Sequence, residues 1–386
     1  MTEQSSGKVA LATIAREWGR IGLIGFGGPP AHIALFRRMC VEQRHWLSEH
    51  EFEDAVASVN LLPGPASTQL AIFCAWRLRG RVGAMLGGVC FIVPGLIIIL
   101  ALAALFISKH TPLWVKGAAA GAGAAVPAVA LNAAYGLVGP SWRRARDSKP
   151  RRARWLCYFA VGVAAAATTG SYLVLVLILA GLVEIAVRGA SGRSRHTLAF
   201  FPAVVAPIAI GGYAALSWVA LKIGALSYGG GFIIVPLMQH DVVSTYHWMT
   251  GTQFLSAVAL GQVTPGPVVQ TVAVVGYAAA GLAGGLFAAF VAFAPSFLFV
   301  LFGAPHFNAV RSSAWIQAFL VGAGACVIGA IAGSAIPLSR ELVHLWQFGL
   351  LGAGVLTLVL WRRGVVAVLV GAGAIGVIAV MAGAPH

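Results

Sequence analysis

Residues 82–108 contain no charged side chain, and neither do residues 313–337 or 364–383. Each run is about as long as the 20 apolar residues a helix needs to cross the hydrocarbon core of a bilayer. A fourth run, 113–139, is interrupted only by Lys116. Runs spread over the whole length exclude a soluble body held by one anchor. Composition agrees, because only 10% of residues are charged, against about 25% in a soluble domain. The 48 glycines suit helices that must approach closely in lipid, where small residues are the packing device. Gly281 and Gly285 form one such small-xxx-small pair. The fold class expected is an all-α polytopic membrane protein, with the lipid bilayer as its first partner.

The net charge of +15 could suggest nucleic acid, but its distribution argues against that. Arg143, Arg144, Arg146, Lys149, Arg151, Arg152 and Arg154 lie together between apolar runs, without aromatic interleaving. Arg188, Arg193 and Arg195 follow the next run. Short basic loops between spans are the mark of the cytoplasmic side. No nucleic-acid partner is expected. The five cysteines (Cys40, Cys74, Cys90, Cys157 and Cys326) are scattered, with no CxxC and no histidine at ligand spacing. They are read as small hydrophobes, and no metal or cofactor is expected. No HExxH, GxSxG or phosphate-binding loop occurs, so the chain is not expected to be an enzyme or to use ATP.

The chain also repeats itself. Residues 21–65 align with 223–267 at a constant offset, and 15 of the 45 positions are identical. The matches include Gly27/Gly229, Gly28/Gly230, His45/His247, Trp46/Trp248 and Phe52/Phe254, and they close on Pro63-Gly64-Pro65 against Pro265-Gly266-Pro267. One deletion later Gln69, Gly80, Gly83 and Pro94 fall on Gln270, Gly281, Gly284 and Pro295. Compositional bias supplies glycine matches, but not His-Trp and Pro-Gly-Pro in one register.

Charge orients the two copies. Arg37, Arg38 and Arg44 follow the first glycine motif, and Arg77, Arg79 and Arg81 follow the first Pro-Gly-Pro. The equivalent stretches 238–252 and 277–284 have no lysine or arginine. The copies are therefore expected to face opposite ways, an inverted repeat of the kind that places a substrate site at the repeat interface. The organisation expected is a first repeat over 1–141, a basic loop with a connecting helical hairpin over 142–197, broken near Thr168-Thr169-Gly170, and a second repeat over 198–386.

Two elements in each copy interrupt a helix at membrane depth. One is Gly25-Phe26-Gly27-Gly28-Pro29-Pro30, matched by Ser227-Tyr228-Gly229-Gly230-Gly231. The other is Pro-Gly-Pro, flanked by Asn60 and Ser67-Thr68-Gln69 in the first copy and by Gln262, Thr264 and Gln270-Thr271 in the second. Proline lacks a donor and clashes with the preceding turn. Irregular backbone survives inside a membrane only where it is buried in protein or lines a wet cavity. Residues 51–76 are read as a re-entrant pair of half-helices with Pro63-Gly64-Pro65 at the tip.

A half-helix starting near Pro65 offers free N–H groups and a positive dipole end. One such end contributes about 0.3–2 kcal/mol, less than the several kcal/mol needed to desolvate an ion. Two ends with side-chain donors are the least that would hold a small oxyanion. The substrate-binding candidates are therefore Gly27, Gly28, Asn60, Pro63, Gly64, Pro65, Ser67, Thr68, Gln69, Gly229, Gly230, Gln262, Thr264, Gly266, Gln270 and Thr271.

A second set of candidates serves proton coupling or anion attraction. Arg16 and Arg20 lead into the first glycine motif with Glu17 between them, at the spacing of helix neighbours. Glu53 and Asp54 open the re-entrant helix, and Lys222, aligned to Arg20, precedes Ser227. The paired His-Trp sequences read as interface anchors.

Taken together, GFGGPPAHIALF, HWLSEHEFEDAVASVNLLPGP and the second GGG, HW, F and PGP series resemble the chromate transporter family in its long, two-domain form. The resemblance spans nearly the whole chain. It implies a multi-pass transporter of the bacterial inner membrane that exports chromate, coupled to protons (as an antiporter) or to membrane potential, and so confers resistance. Sulfate, a dianion of the same shape, is the implied competitor. Family motif positions fall on Gly25, Phe26, Gly27, Gly28, Pro29, Trp46 and Pro63-Gly64-Pro65, whereas the second copy has Ser227-Tyr228 and no proline after its glycines. A sulfate or other oxyanion importer, or a passive anion channel, remains open as an alternative, and a homodimer is carried as a candidate assembly.

Overall fold

The computed structural model describes residues 9–60, 62, 64–107, 111–145, 148–189, 211–227, 232–303 and 313–385. All regular structure among them is helical. The first copy contributes α1 (Leu11–Ile24), α2 (Pro29–Arg37), α3 (Glu49–Val59) and α4 (Ala66–Ile107). The connecting region holds α5 (Leu113–Ala145), α6 (Lys149–Thr168) and α7 (Leu173–Gly189). In the second copy lie α8 (Gly212–Leu226), α9 (Ile234–Gln239), α10 (Gly251–Val263) and α11 (Thr271–Gly303). They are followed by α12 (Ala314–Arg340), α13 (Leu345–Val359) and α14 (Val365–Met381). Four stretches, Ala66–Ile107, Leu113–Arg143, Val268–Gly303 and Ala314–Arg340, are long and apolar enough to cross a membrane. The chain is an all-α polytopic membrane protein.

The two copies bend their backbones at the same places. A straight helix of 42 residues would reach roughly 60 Å, twice the hydrocarbon thickness of about 30 Å. Instead α4 breaks at Arg79 (φ −144°, ψ 23°) and Gly80 (φ 60°, ψ −147°). In α11 the equivalent pair, Ala280 (φ −150°, ψ 32°) and Gly281 (φ 62°, ψ −156°), breaks it in the same way. Only glycine takes such a positive φ at no steric cost. After each break the chain doubles back, and a Cβ on Gly83 would overlap the Ala75 carbonyl, as one on Gly284 would overlap that of Gly276. Each copy also carries a π-helical turn, Arg38–Gln43 in the first and His240–Thr245 in the second. The left-handed His45 (φ 49°) and His247 (φ 51°) follow these turns.

The histidine of the repeated His-Trp thus has a backbone reason to recur, because it reverses the chain after a widened turn. Trp46 then stacks on Trp18 at 6.3 Å, and Trp248 on Tyr246 at 4.7 Å.

By contacts the chain forms two compact units, each drawn from both copies. The first comprises Met1–Leu105, Ala220–Gly231 and Leu260–Asn308, and the second Phe106–Val219, Phe232–Ala259 and Ala309–His386. In the second unit α12 packs on α5, α6 and α7, and α5 on α13 and α14. Glycines make those approaches. A Cβ on Gly162 would overlap the Cys326 carbonyl, and one on Gly121 that of Ala372. The turn between α6 and α7 falls at Thr169-Gly170, where the connecting hairpin was expected. Of the basic run, Arg143 and Arg144 lie in α5 and Lys149, Arg151, Arg152 and Arg154 in α6, helical where a loop was expected, and Arg146 lies outside the described residues. Arg154 and Arg188 close on the buried Glu184, each at 2.8 Å.

In the first unit the segment around the first Pro-Gly-Pro has a measurable shape. Ser48 caps α3, accepting from the Glu51 N–H at 3.2 Å, while the Glu51 carboxylate accepts from the Ser48 N–H at 3.0 Å. Arg77, at the far end of the half-helix 66–78, donates to Glu51. The two ends of the segment 51–77 therefore meet, and Gly64 (φ 116°) lies at its tip.

Candidate functional site

Both tips, the first glycine motif and the segment leading into the second belong to the first unit. The Gly266 N–H donates to the Gly25 carbonyl at 2.9 Å, which joins the second tip to the first glycine motif. A methyl on Gly28 (φ 74°) would lie 3.6 Å from Val268 Cγ2. One on Gly64 would lie 2.6 Å from Gln69 Nε2, 3.2 Å from the Gly224 carbonyl and 3.5 Å from Ser296 Oγ. One on Gly95 would overlap the Pro265 carbonyl and lie 2.7 Å from Gln270 Oε1. Glycine is needed at Gly95 because the backbone of the other copy crowds in, and at Gly28 and Gly64 because their φ is positive.

The arrangement is symmetric up to a point. Pro94-Gly95 of the first long helix faces Gln270 of the second copy, and the equivalent Pro295-Ser296 faces the tip that carries Gln69. Glycine stands on one side and serine on the other. Gln270 uses the room left by Gly95 to donate from Nε2 to the Ile92 carbonyl at 3.1 Å, which fixes its amide.

Buried polar atoms without a protein partner concentrate here. Among the described residues they include Thr68 Oγ1, Ser227 Oγ, Ser296 Oγ, Gln262 Nε2, Gln270 Oε1 and His32 Nδ1. Every one belongs to the first unit. Leaving such an atom unpaired costs about 1–3 kcal/mol, so six together approach the whole net stability of a typical domain, about 5–15 kcal/mol. Native proteins keep few. Three of these atoms are hydroxyl oxygens and one is an amide nitrogen, so four of the six groups can donate. Ser67, Thr68 and Gln69 are all buried in the first turn of α4, where the free N–H groups of a helix end lie.

Not every sequence candidate joins this cluster. Thr264 donates its hydroxyl to the Leu260 carbonyl at 2.8 Å and Thr271 donates its own to Val268 at 2.8 Å, so both are committed to their own backbone. Asn60 is exposed at the end of α3. Pro63, Gly229 and Gly230 lie outside the described residues. Gly27 is exposed and Gly28 buried, both with positive φ, and Pro65 is buried before α4.

Of the charged candidates, Arg16 and Arg20 expose 71% and 55% of their side chains and pair with the buried Glu17 at 3.5 and 3.3 Å. Glu17 meets Arg44 more closely, at 2.6 Å. Glu53 is exposed, and Asp54 lies within 3.4 Å of His50. Lys222 is buried.

Sequence reasoning missed Ser227 as a side-chain donor, and missed Ser296 and His32 altogether. Ser296 could have been found from the repeat, as the polar residue after Pro295 where the first copy has glycine. His32 has no counterpart, because Ile234 occupies the equivalent position.

A family model described as chromate transporter matches residues 12–185 and 214–377, one stretch in each half. A chromate transport protein of Cupriavidus metallidurans is 34% identical over 333 residues, covering 84% of this chain and 81% of the relative. One of Pseudomonas aeruginosa is 30% identical over 383 residues, covering 92% and 89%. No solved structure matches.

Proposed function

The chain belongs to the chromate transporter family, and on that premise we propose that it carries chromate across the bacterial inner membrane. The anion binds in the first unit, between the two Pro-Gly-Pro tips. The observation that carries this reading is the set of buried hydroxyl and amide groups at the tips that have no protein partner. Thr68, Ser227, Ser296 and Gln262 supply hydrogen-bond donors, the first turn of α4 supplies N–H groups, and Lys222 supplies positive charge. Chromate, with four oxygens and charge spread over all of them, accepts from donors on several sides at once, and sulfate competes because it has the same shape.

The direction is export, driven by membrane potential or by proton exchange, with chromate resistance as the consequence. The two copies face opposite ways and rock against each other around the tips.

Labelled chromate uptake into everted membrane vesicles tests the reading. Energised accumulation that excess sulfate suppresses is the expected result. Accumulation in right-side-out vesicles instead would make the chain an importer. Potential-driven flux that never exceeds electrochemical equilibrium would make it a channel.

A further inference from the structure

His32 is fully buried, which makes it the histidine of the first unit that any membrane-embedded mechanism must explain. Its Nε2 lies 2.9 Å from the Gly25 carbonyl. A carbonyl only accepts, so Nε2 carries the hydrogen and Nδ1 holds a bare lone pair. That Nδ1 has no protein partner. The ring is held edge-on to Phe91 at 5.1 Å, and a Cβ on Gly25 would lie 2.6 Å from its Cδ2, so it has little freedom to turn away. One nitrogen is anchored and the other is free to take a proton.

The anchor is not an ordinary carbonyl. Gly25 O also accepts from the Gly266 N–H at 2.9 Å, so the imidazole of the first copy and the tip of the second share one acceptor. The titratable groups nearby are few. On α1, Glu17 and Arg20 pair with each other, and on α2 Arg37 pairs with Glu49. The long helix α4 presents Phe91, with Cys90 beside it, and the 265–276 stretch has no titratable side chain. Lys222 is the buried cation of α8.

We propose that His32 is the proton-binding residue of this protein, its charge linked to anion occupancy through the Gly25 carbonyl and the Gly266 tip. The proposal rests on the transport reading above. Protonation at Nδ1 places a cation one hydrogen bond away from the tip where the anion sits. A bound dianion therefore raises the proton affinity of His32, and a proton on His32 raises the anion affinity by the same factor. Proton and anion bind in support of each other, which fits the potential-driven form of export and not proton exchange, where the two would compete.

The test is equilibrium binding to the purified full chain in detergent. Selenate is the probe, because it remains a tetrahedral dianion where histidine titrates, about pH 5–8, whereas chromate itself takes up a proton near neutrality. In the wild type the Kd for selenate should rise by up to about tenfold per pH unit above the titration of His32. Calorimetry in buffers of different ionisation enthalpy should show about one proton taken up per anion there. His32→Gln, whose amide N–H can still donate to Gly25, should bind with a flat pH profile and no proton uptake.

A pH-independent wild-type affinity, or an unchanged slope in the folded variant, would overturn the assignment while leaving the transport reading intact. A folded His32→Gln that binds at no pH would also overturn it, by making the ring a fixed ligand. Should the variant fail to fold, wild-type proton uptake decides alone, and its absence overturns the proposal. Failure of the wild type to bind either selenate or chromate at any pH would overturn the transport reading, and this proposal with it.

Discussion

Ser296→Ala should strengthen the empty protein and weaken the occupied one. Its hydroxyl is completely buried and has no protein partner, so in the absence of substrate it carries the desolvation penalty of a lone polar group, about 1–3 kcal/mol. Removing it leaves only a small void, with a cost below the roughly 0.8 kcal/mol of a methylene. The net expectation is a gain of about 1 kcal/mol in the unliganded state. With an oxyanion at the tip the sign reverses. A hydrogen bond to a charged acceptor contributes about 1.5–3 kcal/mol, which is roughly 10- to 150-fold in Kd. Thr68→Val, which removes a second such hydroxyl while keeping the side chain's shape, should behave in parallel. Thermal unfolding of the purified protein with and without chromate reads both effects. The wild type should gain about 2.7 kcal/mol at a ligand concentration 100 times Kd, and the variant should start higher and gain less. Reduced stability without ligand, or an unchanged shift with it, would show that Ser296 is bonded within the protein and does not face the anion.

Three further outcomes follow from the packing and the repeat. Gly224→Ala drives a methyl into the Ala292 carbonyl, and backbone cannot yield as a side chain does. It should cost at least about 1–3 kcal/mol and lower the folded yield, whereas Gly349→Ala, which meets open space, should leave the yield unchanged. Glu17→Ala strands Arg44, Arg20 and Arg16 around a buried site. Breaking a fully buried pair costs about 3–5 kcal/mol, and the partial exposure of the arginines reduces this to roughly 1–3 kcal/mol, seen as a lower melting temperature that high salt partly restores. Single cysteines at Gly80 and Gly281, in a background lacking native cysteines, test the orientation of the copies. They should react with an impermeant thiol reagent from opposite sides of the membrane, and labelling from the same side would exclude an inverted repeat.

Much of the fold was legible in sequence because it follows from local rules and repetition. Uncharged runs of span length are incompatible with water whatever their tertiary partners. The offset between His45-Trp46 and His247-Trp248 marked a duplication, and the same residues prove to be left-handed turns after π-helical segments. Pro65 was placed correctly before a half-helix, because proline excludes the helix interior and tolerates its first turn. What the sequence misjudged was the commitment of particular hydroxyls. Thr264 and Thr271 looked like Thr68 in type and setting, yet each bonds a carbonyl three or four residues back. Whether a threonine does so depends on its rotamer, which packing selects.

The sequence alone determined that this chain lives in a membrane, that it is built twice, and that each copy breaks at Pro-Gly-Pro. These properties rest on hydropathy, on identity between residues and on the geometry of proline and glycine, none of which needs a partner. Only the tertiary structure decided which polar groups share the site. It paired Gly266 with Gly25 and Gln270 with Ile92 across the duplication, and set Ser296 beside the first tip. Residues some 200 positions apart meet only when the two copies interlock. A hydrogen bond left unmade is a property of that meeting, and of neither segment by itself.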